Sequence, residues 1–246
     1  MNNRPTRTNN HFTPLKERTP MVTRKQSLTL SVAAALLVFG GQASAAVITP
    51  TSATSTTTIG GSRTITAAID STGLTDVSDP GSVLDDLHDG GGSNTHYLSD
   101  AGVASGGLST TEVLTFDLGG AFNVDTIYYW AYNRPEEERG IKTFDIAFST
   151  NGGSSYSAAV SAASLGMADW TKGTTSSSQQ SSVDTRSITN QVGVTNIRLT
   201  NIQNFGGDRI ALAEIRFGGV VPEPGSLALL GLGGLCVLRR RRNSRK

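Results

Sequence analysis

Apolar and polar residues alternate in several short segments of this 246-residue chain. In one segment Leu114, Phe116 and Leu118 fall on one face of an extended backbone, and Thr115 and Asp117 fall on the other. This period of two is typical of a half-buried β-strand, because successive side chains of a strand point to opposite sides of its sheet. The same alternation recurs in three further segments: Phe144, Ile146 and Phe148; Ile197 and Leu199; and Ala213, Ile215 and Phe217.

Clusters of Gly, Asn and Ser between these segments predict turns at 123–125, 151–154 and 204–208. Residues 46–221 contain no long apolar stripe at helical spacing. The Thr-rich stretch 49–58 is either a disordered leader or a first edge strand. Short alternating strands joined by polar turns predict that residues 46–221 form an all-β fold, an antiparallel β-sandwich or jelly roll.

The N-terminal region has the pattern of an export signal. Arg24 and Lys25 precede an apolar run at 28–39, and small residues, ending at Ala45, follow it. This order predicts a secretory signal helix within a signal peptide at 21–45. Residues 1–20 are polar and patternless, so either translation starts at Met21 or these residues extend the basic region.

Residues 222–246 contain three parts in order. The triplet Pro222, Glu223 and Pro224 precedes an apolar run at 227–238. Four arginines follow that run directly: Arg239, Arg240, Arg241 and Arg242. The run is short for a membrane span, but the arginines would stay on the cytoplasmic side and leave the preceding residues outside. The pattern therefore predicts a short C-terminal transmembrane helix with a basic membrane stop.

This C-terminal region resembles the PEP-CTERM sorting signal, which consists of a Pro-Glu-Pro triplet, a short hydrophobic helix and a basic tail. The resemblance implies a Gram-negative-type bacterium that makes exopolysaccharide. It also implies export by the Sec machinery, a transient stay in the inner membrane and removal of the tail by an exosortase. Pro222, Glu223 and Pro224 would be recognised by that enzyme and would have no catalytic role.

Composition argues against a nucleic-acid partner and excludes sites built from several cysteines. Residues 46–221 hold nine basic and eighteen acidic residues between two basic ends. An acidic body lacks the Lys or Arg stripe that would replace the counterions of a phosphate backbone, so nucleic acid is not an expected partner. Cys236 is the only cysteine, which excludes an intramolecular disulfide and a cysteine-built zinc site.

The order of four segments resembles galactose-binding-like domains of the discoidin, or F5/8 type C, group. The first segment is the Asp-Gly…Thr-x-aromatic loop at 87–99. The other three segments follow in the family's order: 114–119, 144–152 and 197–217. The resemblance implies a sandwich of the galactose-binding type over about residues 60–218, although folds of this kind serve several binding functions.

Three oxygen-bearing residues are candidates for a calcium site. Asp89, Thr95 and Glu214 carry the hard donors that Ca²⁺ prefers, and Ca²⁺ takes six to eight oxygens, including loop carbonyls. In the resembling family a structural Ca²⁺ is often held by such a loop and by a Glu near the last strand. The alternative is a polar turn in which Asp89 caps backbone amides.

Five residues after an apolar strand are candidates for contacting a carbohydrate: Trp130, Tyr132, Asn133, Arg134 and Arg139. Sugar sites combine an aromatic face for the ring with planar polar groups for the hydroxyls. In the alternative interpretation Trp130 lies in the core, and the acidic run 136–138 is simply solvated.

The sequence gives little support for an enzyme. It contains no G-x-S-x-G elbow and no H-E-x-x-H motif, and no pair of carboxylates stands out. We therefore expect a secreted or surface-sorted, non-catalytic binding module, with exopolysaccharide of the matrix or biofilm as the ligand class. The alternatives are a structural matrix protein without a sugar site and, further off, a carbohydrate-active enzyme.

Overall fold

Ten β-strands and four short 3-10 helices form the part of the chain that the computed structural model describes, residues 46–59, 63–75, 83–89, 94–176 and 178–221. The strands are β1 (Ala46–Ile48), β2 (Ser52–Ser55), β3 (Tyr97–Leu98), β4 (Leu108–Ser109), β5 (Leu114–Trp130), β6 (Ile141–Ser149), β7 (Val160–Ser161), β8 (Val183–Asn204), β9 (Ala211–Leu212) and β10 (Glu214–Val220). The 3-10 helices are Ile65–Ala68, Val83–Asp85, Glu137–Arg139 and Ala162–Leu165.

Two long strands, β5 and β8, form the centre of the main sheet and pair with each other in antiparallel fashion. The strand order is β1-β10-β5-β8-β6-β7, with β2 beside β5 and β4 beside β8. The first part of β5 pairs with β2, whereas its last part pairs with β10. Strands β3 and β9 form a small second sheet. The predicted all-β, antiparallel sandwich is confirmed.

Bulges near the middle of β5 and β8 allow one sheet to supply both layers of the sandwich. The pairing register shifts between Asp117 and Phe122 of β5. Gly119 and Gly193 have φ angles of 72° and 69°, a left-handed conformation that glycine adopts at little cost. A bulge bends its strand and increases the local twist, so the two halves of each long strand can enclose a common core.

The turn predicted at 123–125 is wrong, because these residues continue β5. Val124 is fully buried in the core, and the Asn123 Oδ1 atom accepts a hydrogen bond from the Gly193 backbone N–H at 3.0 Å. The polar residues here stabilise the bulge and do not form a turn. The turn predicted at 151–154 is confirmed, and β2 confirms the edge-strand interpretation of 49–58.

The main core draws apolar side chains from both halves of the sheet. Phe116 of β5 packs against Phe217 of β10 with ring centroids 5.7 Å apart. Tyr129 stacks on Trp170 at 4.0 Å. A fully buried side chain of this size contributes about 1.5–3 kcal/mol. The stack of Trp170 on Tyr129 therefore anchors the segment around Trp170 to the end of β5.

The signal peptide, the C-terminal helix, the sorting triplet and the arginine membrane stop were predicted at 1–45 and 222–246, which lie outside the described residues. Within the described ranges, no helix has the length and apolar character needed to cross a membrane.

Candidate functional site

Three of the five residues predicted to contact a ligand lie in the interior. Trp130, Tyr132 and Asn133 are 0%, 4% and 4% exposed. The Trp130 indole N–H donates to the backbone carbonyl of Asp86 at 2.9 Å. Trp130 packs with Leu74 and Ala213 in a separate small cluster. Its ring therefore offers no open face to a sugar in this structure.

Asn133 joins two loops. Its side-chain amide donates to the Gln179 backbone carbonyl at 3.0 Å, and its Oδ1 atom accepts from the Thr174 backbone N–H at 2.9 Å. Gly173 lies so close to the Tyr132 carbonyl that a Cβ at this position would overlap it. The loop that follows β5 and the loop that follows Trp170 are thus packed together.

A third loop completes this end of the sandwich. The backbone N–H groups of Phe205 and Gly207 donate to the Glu138 carbonyl at 2.9 and 3.2 Å. Lys172 and Glu137 form an ion pair at 3.0 Å. We call the surface formed by loops 131–140, 171–176 and 205–210 the Tyr132 end.

The two remaining predicted contacts, Arg134 and Arg139, are half-buried on the Tyr132 end. Arg139 Nε bonds Asp208 Oδ1 at 3.0 Å, and Glu136 lies 3.9 Å from its Nη1 atom. Burial raises the pKa of Tyr132, and the positive charges of Arg134 and Arg139 oppose that rise. Arg134 and Arg139 therefore both act electrostatically on this buried tyrosine.

The three predicted calcium ligands all meet the segment 70–75. The Asp89 backbone N–H donates to the Gly73 carbonyl at 2.8 Å. A Cβ on Gly73 would lie 2.9 Å from the Thr95 Cβ atom, so these two residues are in close contact. Glu214 Oε1 accepts from the Ser71 backbone N–H at 3.2 Å. Asp89 and Thr95 are thus connected to Glu214 of strand β10 through the segment 70–75.

Glu214 is fully buried and forms an ion pair with the fully buried Arg216. Burial raises the pKa of Glu214 to about 8, and the Arg216 charge opposes that rise. Sequence reasoning missed Arg216, although Arg216 follows Glu214 at the two-residue spacing that places both on one face of β10. Its guanidinium also donates to the Ser71 hydroxyl at 2.8 Å.

Two buried carboxylate oxygens, one on Asp89 and one on Glu214, are unsatisfied. Asp89 Oδ1 and Glu214 Oε2 are buried and have no hydrogen-bond partner, a costly state for an acceptor atom. No group of three His, Cys, Asp or Glu side chains suited to a metal occurs within the described ranges. Calcium also takes hydroxyl and carbonyl oxygens, so Asp89, Thr95 and Glu214 could supply part of its ligand shell.

Comparison with known proteins confirms the predicted resemblance of the C-terminal region. The PEP-CTERM protein-sorting motif matches residues 220–242. No curated protein matches the chain.

Solved structures with a similar fold include the family 32 carbohydrate-binding module of C. perfringens NanJ, in complex with galactose. It is 18% identical, and the match covers 71% of this chain and 99% of that module with a TM-score of 0.45. An F5/8 type C domain from Bacteroides fragilis is 12% identical, with 70% and 92% covered and a TM-score of 0.44. A chitosan-binding module of a Paenibacillus chitosanase/glucanase is 15% identical, with 69% and 95% covered and a TM-score of 0.40.

Proposed function

We propose that this chain is an exported, non-catalytic polysaccharide-binding module of the cell envelope or extracellular matrix. The sorting motif at 220–242 implies export, C-terminal membrane anchoring and processing by an exosortase. The observation that carries the binding role is the pair of half-buried arginines on the Tyr132 end, Arg134 and Arg139, of which Arg139 is held by Asp208.

The buried residues of this end would act by positioning. Trp130, Tyr132 and Asn133 hold the loop that carries Arg134 and Arg139, so little loop entropy is lost when a ligand binds. A guanidinium is planar and presents five N–H donors in a rigid fork. It can donate to sugar hydroxyls or carboxylates without reorienting.

We expect the double variant Arg134→Ala/Arg139→Ala to bind extracted exopolysaccharide about tenfold more weakly, because two charge-assisted sets of hydrogen bonds are lost. Affinity would be measured by calorimetry on the exported protein. Lys142→Ala is the matched control: Lys142 is 42% exposed, and its pair with Asp169 is a surface ion pair of little energetic weight.

A folded wild-type protein that binds neither exopolysaccharide nor any member of a broad glycan panel would contradict the binding role. That result would favour a structural matrix protein whose acidic, Ser- and Thr-rich surface serves hydration.

We also propose that Ca²⁺ binds beside the segment 70–75 through Asp89, Thr95 and Glu214 and stabilises the loop 87–99. The support is the pair of buried carboxylate oxygens without hydrogen-bond partners. At a hundredfold excess over its Kd, a ligand of the folded state stabilises by about 2.7 kcal/mol. We therefore expect calcium to raise the Tm by roughly 5–10 °C, measured by calorimetry with and without chelator.

The variant Asp89→Asn keeps the side-chain shape and removes one charge, so its Tm should respond far less to calcium. Magnesium is the control ion, because it demands a tighter octahedral shell and gives up its waters reluctantly. An identical Tm in calcium and in chelator would overturn this proposal.

A further inference from the structure

The outer face of the main sheet carries an arginine that is stacked on a tyrosine. Arg198 of β8 lies between Thr115 of β5 and Ala147 of β6 in the strand register. The turn after β6 brings Tyr156 over it, with the guanidinium carbon 3.7 Å from the ring centroid. This stack lies six residues along β8 from Asn204, which pairs with Ile141 next to the Tyr132 end, and a cation above a ring face is attracted to it.

The charge of Arg198 has no acidic partner within 4.0 Å among the described residues, whereas Arg139, Arg186, Arg209 and Arg216 each have at least one. Its Nε atom is buried without a hydrogen-bond partner. The two acidic side chains on the same face are engaged elsewhere. Asp117 accepts from the Gly119 N–H at 2.8 Å, and Asp145 accepts from the Asn201 amide at 2.7 Å.

Asn196 supplies a second unsatisfied polar group beside this arginine. It lies two residues before Arg198 on the same face of β8. It is 5% exposed, and its Oδ1 atom is buried without a hydrogen-bond partner. A Cβ on Gly153 would lie 3.4 Å from the Tyr156 hydroxyl and 3.5 Å from the Asn196 side-chain nitrogen. Ring, guanidinium and amide therefore form one cluster.

We propose that the cluster of Tyr156, Asn196 and Arg198 is a second saccharide site, separate from the Tyr132 end, and that it takes a carboxylate-bearing sugar unit of a polyuronate. A guanidinium binds a carboxylate through two parallel hydrogen bonds. Asn196 packs beside the guanidinium with an unsatisfied amide oxygen, and Thr115 is the register neighbour of Arg198 on β5. This inference rests on the proposed polysaccharide-binding function.

Two sites on different faces of one module would engage a long polymer together. The second contact then occurs at a raised effective concentration, which increases the overall affinity without new chemistry. We therefore expect tight binding to a long polyuronate and much weaker binding to short oligomers of the same sugar.

The test is calorimetric titration of the exported protein with polygalacturonate and with a neutral glucan of the same length. We expect Arg198→Ala to weaken polygalacturonate binding at least about tenfold, or about 1.4 kcal/mol. Its binding to neutral glucan should not change. Lys142→Ala, which removes the same charge from neighbouring β6, should leave both affinities unchanged. Asn196→Asp, which adds a negative charge beside Arg198, should weaken polygalacturonate binding while the Tm reports folding.

An Arg198→Ala variant that binds polygalacturonate as tightly as the wild type would overturn the inference. So would a wild type that binds extracted exopolysaccharide but not polygalacturonate, a result that leaves the proposed function standing. A wild type that binds no polysaccharide overturns both.

Discussion

A Trp130→Ala variant is expected to lose about 3–5 kcal/mol of its free energy of unfolding, because the substitution opens a large cavity in a closed interior. The indole is fully buried against Leu74 and Ala213, and its N–H satisfies the Asp86 carbonyl. Equilibrium denaturation in urea measures the change. A domain of ordinary stability would then have a free energy of unfolding close to zero.

Trp130→Phe is the matched control for this experiment. It keeps most of the buried area but removes the hydrogen bond to Asp86, so its loss should be roughly 1–3 kcal/mol. Measured at a temperature where it is folded, Trp130→Phe should retain near wild-type affinity for the polysaccharide, because a buried aromatic ring still supports the loop that carries Arg134 and Arg139. Trp130→Ala should bind more weakly, because that support is lost. A folded Trp130→Phe variant that has lost binding would contradict a purely positioning role for this side chain.

An Arg216→Met variant is expected to lose about 3–5 kcal/mol in calcium-free buffer, because removal of one partner leaves a buried carboxylate without its countercharge. Arg216 and Glu214 are both fully buried, and both bond the Ser71 position. If calcium binds Glu214 as we propose, the loss should be smaller in calcium, because the metal supplies the missing positive charge.

The double variant Arg216→Met/Glu214→Gln serves as the control, since it removes both charges at nearly constant volume. Its free energy of unfolding should be higher than that of Arg216→Met alone. With Glu214→Gln measured as the second single variant, the double-mutant cycle gives the coupling of the pair. If the two losses simply add, the ion pair does not govern the stability of this strand.

The fold follows from the sequence where the alternation is unbroken. Leu114, Phe116 and Leu118 predict the first part of β5, and their side chains are buried as expected. The full length of β5, 17 residues, could not be predicted. A bulge shifts the parity of the alternation, so the polar residues around Asn123 give a turn-like pattern inside a strand.

The candidate site is predictable in position but not in exposure. The sequence places Trp130 and Arg139 near one another, yet an aromatic residue at the end of a strand has the same local pattern in a core and on a rim. Its burial depends on Leu74 and Ala213, which come from distant segments. Arg198 gave no signal at all, because its partner Tyr156 is brought to it only by the turn after β6.

The pairing of the first strand with the last decides which end of the sandwich is nearer to a C-terminal membrane anchor. Ala46 pairs with Gly219, so the backbone enters and leaves the sandwich at the same end of β10. Trp130 pairs with Glu214 at the opposite end of that seven-residue strand, roughly 20 Å away. An anchor beyond Val221 would therefore follow the end of β10 that pairs with the start of the body, whereas the loop that carries Arg134 and Arg139 follows β5 at the other end of β10.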